Sequence, residues 1–139
     1  MAITPFLTFQ GHCREALELY ERALKTQVQM VMLFSDMTDD PEGLVTEENK
    51  HHILLATIQV GDTLLRLADT FDPLNEDESQ RVGLSLELED EEDIRHAFEV
   101  LAEDGVVLKE LQKTYFSDVY GELIDVNGVY WYFGVYSND

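Results

Sequence analysis

Two adjacent histidines, His51 and His52, stand in front of the apolar run ILLATIQV, and imidazole is the side chain best able to hold a divalent ion near neutral pH. Neighbours on a strand point to opposite faces, so the pair does not converge on one ion, and no further ligand stands at metal-site spacing from it. Both residues read as solvent-facing or capping groups at a strand start. His12, at the entry of the first expected helix, and His96, beside Arg95 in the second, read as surface residues. Cys13 falls in a first helical turn, where unpaired N–H groups can lower a thiol pKa and create a nucleophile. The acidic surroundings act the other way, and Cys13 is read as a small buried hydrophobe. The other side chains with chemistry are aromatic. TYFSDVYG and VYWYFGVY carry Tyr115, Phe116, Tyr120, Tyr130 and Tyr132. Strand alternation puts Tyr130 and Tyr132 on one face and turns Trp131 and Phe133 under a helix. With Thr4, Phe6 and Thr8, these rings would line a cleft with apolar walls and several hydroxyls, suited to a small organic molecule. The competing expectation is that the rings fill core or interface.

Composition excludes several partners. The 29 acidic residues against 9 basic ones give a formal charge of -20, which repels phosphate backbones and anionic lipid surfaces. No nucleic-acid or membrane partner is expected. A single cysteine allows no intrachain disulfide and fits a reducing compartment. MAITPFLTFQ has neither a basic leader nor a long apolar run, so a cytoplasmic, soluble protein is expected.

The elements that must position the aromatic residues follow from a changing hydrophobic period. ITPFLTF (3–9) reads as a strand, and CREALELYERAL (13–24) as a helix with Ala16, Leu17, Tyr20, Ala23 and Leu24 on one stripe. VQMVMLF (28–34), HHILLATIQV (51–60) and TLLRLAD (63–69) read as strands, the last two joined by Gly61-Asp62. The polar stretch between the second and third strands, with Pro41 and Gly43, reads as a long loop. After the connector FDPLNEDESQR the order repeats. VGLSLELE (82–89) is a strand, EEDIRHAFEVLAEDG (91–105) a helix stopped by Gly105, and VVLKELQKTYF, YGELIDV and VYWYFGVY are three strands. Asn127-Gly128 is a type I′ hairpin pair. Ile3, Leu7 and Phe9 line up with Val82, Leu86 and Leu88 at an offset of about 79 residues. The expected fold is α+β, with β-α-β-β-β written twice in one domain, residues 1–72 and 73–139.

ITPFLTFQGHCREALELYERAL, IQVGDTLLRLAD, GLSLELED and LQKTYFSDVYGELIDVNGVYW, in that order, resemble the PhnB-like branch of the glyoxalase / bleomycin-resistance / dioxygenase, or vicinal oxygen chelate, superfamily over nearly the whole chain. The resemblance implies tandem βαβββ modules, a cupped mixed β-sheet and a homodimer. Members of the branch are often labelled 3-demethylubiquinone 3-methyltransferase-like. The chain has no glycine-rich loop after a strand to hold a nucleotide-type cofactor, and none is expected. In metal-dependent members the ligands come from the first strand of each module and from a carboxylate on the last strand. The matching positions are Thr4, a residue near Arg81 or Gly83, and Tyr132, none of them a good ligand. Where glyoxalases can add a fourth-strand glutamate this chain has Arg66, and where PhnB-like relatives show a third-strand histidine it has Leu55. Both join the expected lining of the cleft. Asp118 and Val119 stand where relatives often carry basic residues, which disfavours an anionic substrate. The resemblance therefore implies a metal-free module that binds a small molecule without chemistry, as bleomycin-resistance relatives do. The alternative is a divalent-metal-dependent lyase, isomerase, dioxygenase or thiol transferase.

Overall fold

The structure, a computed structural model, describes residues 2–71 and 82–136. Its elements are β1 (Phe6–Phe9), α1 (Cys13–Leu24), β2 (Val28–Leu33), a single 3-10 turn (Phe34–Asp36), β3 (Ile53–Val60), β4 (Thr63–Asp69), β5 (Leu84–Glu87), α2 (Glu91–Ala102), β6 (Val106–Gln112), β7 (Ser117–Ile124) and β8 (Tyr130–Tyr136). The chain divides into two compact units, the first with β1 to β4 and most of α1, the second with Arg22–Leu24, α2 and β5 to β8. The sheet of the first unit has the order β1-β4-β3-β2, and that of the second β5-β8-β7-β6. In each sheet the first strand runs parallel to the last and the other pairs are antiparallel. This is the expected βαβββ order, twice. The junction expected at residues 72 and 73 lies outside the described residues.

Several boundaries differ from expectation, each for a local reason. β1 starts at Phe6, because Pro5 has no N–H to give a ladder; its carbonyl still accepts from the Arg66 N–H at 3.0 Å, and Ile3 is left exposed. The helix α2 ends at Ala102, and the left-handed residue after it is Asp104 (φ 59), not Gly105. Gly105 serves a close approach instead. A Cβ there would lie 2.5 Å from the Ile124 carbonyl oxygen. At the last hairpin only Gly128 has positive φ, so the turn is not type I′, which needs it at Asn127 too. The Asp125 carboxylate decides the shape: Oδ1 accepts from the N–H of Asn127 (2.8 Å) and of Val129 (3.0 Å).

Packing follows the predicted stripes. On α1, Cys13, Ala16, Leu17, Tyr20 and Ala23 are buried, at the spacing of one helical face. On α2, Ile94, Ala97, Phe98 and Leu101 are buried, and the Phe98 ring meets Phe133 edge-on at 5.2 Å between centroids. Trp131 shares that face, and its Nε1 donates to Asp125 Oδ2 at 2.9 Å.

The helices are capped differently. Asp90 caps α2 locally, accepting from the Glu92 N–H at 2.9 Å, with Glu91, Glu92 and Asp93 favourably placed in the first turn. At α1 the cap residue His12 makes no side-chain bond. The cap comes from the end of β4: Asp69 Oδ1 accepts from the N–H groups of Gly11 (2.8 Å) and Cys13 (3.0 Å), and Oδ2 from that of Ile53 (3.0 Å). Asp69 is 6% exposed. Replacing it with Ala strands three backbone donors. Asp69→Ala is expected to cost about 2 to 4 kcal/mol in urea unfolding, and Asp69→Asn less, since one acceptor oxygen remains.

Candidate functional site

Alternation sorts each sheet into two faces, and the face away from the buried aliphatic core gathers most of the residues singled out above. On the first sheet Phe6 is in register with Arg66, which is also opposite Thr57; Thr8 and Leu55 follow on the same face. Arg66 Nη1 donates to Thr57 Oγ1 at 3.2 Å, so its guanidinium is held across the strands. Phe6 and Thr8 are exposed, Leu55 and Arg66 half-buried, and Thr4 precedes β1, also half-buried.

On the second sheet the same face carries Tyr120 and Glu122 from β7 and Tyr130 and Tyr132 from β8, with Glu122 opposite Tyr132. The rings of Tyr130 and Tyr132 lie 4.8 Å apart, tilted by 40°. Gly83 makes room for them. A Cβ there would come within 2.8 Å of the Tyr132 ring. Phe116 meets Tyr120 edge-on at 5.0 Å and Tyr115 at 5.1 Å, while Tyr115 itself stands fully exposed in the loop before β7. Trp131 and Phe133 turn to the helix side and are buried, as alternation requires.

Glu122 is the centre of this face. Its Oε1 accepts from the Tyr130 hydroxyl at 2.5 Å and its Oε2 from the Tyr120 hydroxyl at 2.8 Å, and the Lys109 ammonium lies 3.3 Å from Oε2. Only 7% of Glu122 is exposed. Burial pushes its pKa up, but the hydrogen bonds from Tyr130, Tyr120 and Lys109 together outweigh burial and bring it below the ordinary value of 4.5. The same bond, with burial and the adjacent negative charge, raises the pKa of Tyr130, which stays a phenol. In the sequence Glu122 is one acid among 29 and not among the expected site residues. The signal was its spacing: it is two residues from Tyr120 on a strand, hence on the tyrosine face.

The two adjacent histidines have different surroundings. His51 is exposed, and the half-buried His52 turns its ring against Phe34 at 5.7 Å, which in turn stacks on Phe71 at 4.2 Å. Cys13 is fully buried, and its thiol is pushed up to about 12, first by burial and then by the Asp69 charge. A separate open depression of about 420 Å³ lies between α2 and β6, lined by Phe98, Ala102, Val107 and Leu111 with Arg95, Glu99 and Glu110. None of the predicted site residues borders it.

The family model of the Glyoxalase/Bleomycin resistance protein/Dioxygenase superfamily matches residues 2–133. The chain belongs to that superfamily. Its likeness is to the PhnB-like branch: the PhnB protein of Bacillus cereus is 26% identical, with a TM-score of 0.78 and coverage of 97% of this chain and 99% of that one. PA1353 of Pseudomonas aeruginosa is likewise 26% identical, at a TM-score of 0.82 and 98% of both chains. Protein YjdN of Escherichia coli K12 is 23% identical, over 97% of this chain and 95% of its own. For a superfamily that includes metal-dependent enzymes, the donors present here decide whether a divalent ion fits. Thr4 supplies an alcohol, and Tyr132 a phenol against another aromatic ring; these are poor donors beside imidazole and carboxylate. Among the described residues no three His, Cys, Asp or Glu side chains gather around a common point. Those positions do not fit the ion. No helix among the described residues is long and apolar enough to cross a membrane.

Two outcomes test this geometry. Glu122→Gln keeps the shape and removes the charge, and is expected to cost about 1 to 3 kcal/mol at neutral pH. The lowered pKa means the carboxylate's contribution is complete above its ordinary value and lost as pH falls through the depressed one, so the melting temperatures of wild type and variant converge below about pH 4.5. Cys13 in the folded protein is expected to resist iodoacetamide at neutral pH and to react once the chain is unfolded in urea, read by mass spectrometry.

Proposed function

We propose that the protein is a small-molecule-binding member of the PhnB-like branch, one that holds a small organic ligand without a metal ion or other cofactor. The observation that carries this reading is the convergence of the Tyr120 and Tyr130 hydroxyls on Glu122 beside the paired ring of Tyr132. Such a surface offers flat apolar contact with a few oriented polar groups, the usual make-up of a ligand seat. Tyr115 and Phe116 extend it at one end, through the ring contact of Phe116 with Tyr120. On the first sheet, taken by itself, we propose ligand contact for Thr4, Phe6, Thr8, Leu55 and Arg66.

A homodimer and a cytoplasmic location belong to the same proposal. The edge strands β2 and β6 leave Val31, Met32, Val106, Val107 and Leu108 between 36% and 58% exposed, apolar surface of the kind a second copy would cover. The lone cysteine suits a reducing compartment.

The experiment is a thermal-shift screen of small organic molecules, with elemental analysis after dialysis against zinc, manganese or nickel. A stoichiometric metal would replace this reading with the metal-dependent enzyme. For any molecule that binds, Tyr132→Ala is expected to weaken affinity by about 1 to 3 kcal/mol with the fold kept. A loss of about 3 to 5 kcal/mol in stability with normal binding would instead make Tyr132 core filling.

A further inference from the structure

On the tyrosine face of the second sheet the hydroxyl protons of Tyr120 and Tyr130 are committed inward. Tyr130 and Tyr120 both donate to Glu122, so towards a ligand the Tyr130 hydroxyl has only its oxygen lone pairs to offer, polarised by a carboxylate 2.5 Å away. Beside it lie the electron-rich faces of two rings 4.8 Å apart. Lone pairs, ring faces and a buried negative charge all attract positive groups and repel anions.

The protein itself places a cation here. Lys109, opposite Glu122 in the register of β6 and β7, holds its ammonium 3.3 Å from Oε2 while its side chain remains 57% exposed. That contact is long for a charge-assisted bond and solvent-accessible, so an incoming cation can displace it. Exposed Glu87 adds negative charge: Ser85 of β5 is opposite Tyr132, and Glu87, two residues on, shares its face. We propose that the Glu122 face selects a small organic cation, an arylammonium in particular, with Lys109 occupying the cation position when no ligand is bound. This deepens the small-molecule-binding reading above and rests on it.

The test uses three probes that share one ring and differ in charge, benzylammonium, benzyl alcohol and benzoate, titrated into the full chain and followed by NMR. Benzylammonium is expected to bind about tenfold more tightly than benzyl alcohol, and benzoate more weakly than either. In Glu122→Gln the advantage of benzylammonium over benzyl alcohol is expected to vanish. Lys109→Met removes the competitor and is expected to tighten benzylammonium several-fold. Arg95→Met, which makes the same charge change on α2, against the opposite face of the sheet, is expected to leave the affinity unchanged, so that attraction to the net charge of -20 is separated from the site. If Glu122→Gln fails to fold, the Lys109→Met and Arg95→Met pair decides alone. Equal affinity for the three probes, an advantage that survives in Glu122→Gln, or equal effects of Lys109→Met and Arg95→Met would overturn the cation inference and leave the small-molecule reading in place. No binding by any probe at millimolar concentration would overturn both.

Discussion

The carboxylate of Asp69 is the constraint on which the first unit rests. It is a buried charge, and such a charge is tolerated only when its oxygens are fully occupied. Three backbone N–H groups occupy them, from the loop before α1, the first turn of α1 and the start of β3. One side chain thereby fixes where the helix begins, where β3 begins and how both meet the end of β4. It also determines the character of Cys13, whose own N–H it accepts and whose thiol it helps keep protonated. The second unit uses Asp125 in a comparable way, joining a hairpin to the indole of Trp131. Among the described residues no buried side-chain polar atom lacks a partner, so these charges sit in satisfied networks.

Much of this was legible in the sequence because it is local and periodic. The stripe of CREALELYERAL marks α1 from Cys13 to Leu24, and alternation in VYWYFGVY sends Trp131 and Phe133 inward and leaves Tyr130 and Tyr132 on the other face. Elements recur at a spacing of 78 residues, as Phe6 and Leu84, Cys13 and Glu91, or Val28 and Val106 show, while the inward-facing pair Leu7 and Leu86 keeps the spacing of 79 read from the hydrophobic pattern. What stayed hidden depends on distance along the chain. Asp69 lies 56 and 58 residues from two of its donors, and nothing in TLLRLAD distinguishes its last residue as a cap. Asn127-Gly128 misled because a neighbouring aspartate, not the dipeptide, sets the turn.

Glu122 was missed for a different reason. In a chain with 29 acids a single glutamate reads as surface, and only the pairing of β7 with β8 shows it buried against two phenols. Membership of the superfamily gives the scaffold, and what can be done on it depends on side chains that differ from member to member. Tyr132 has a carboxylate beside it one strand over, at its register partner Glu122, whose oxygens already accept from two hydroxyls. A negative charge is thus kept on the face in a form that orients phenols.

In both sheets the strand made first pairs with the strand made last, β1 with β4 and β5 with β8. During synthesis, then, β1 leaves the ribosome with no sheet neighbour, and α1 lacks its capping carboxylate until Asp69 follows. Each unit must close a long loop before the β1–β4 or β5–β8 pairing can reward it. β4 and β8 lie inside their sheets, which end at β1 and β2 in the first unit and at β5 and β6 in the second. A nascent chain halted before β4 therefore exposes β1 and β3 along edges that the finished sheet hides.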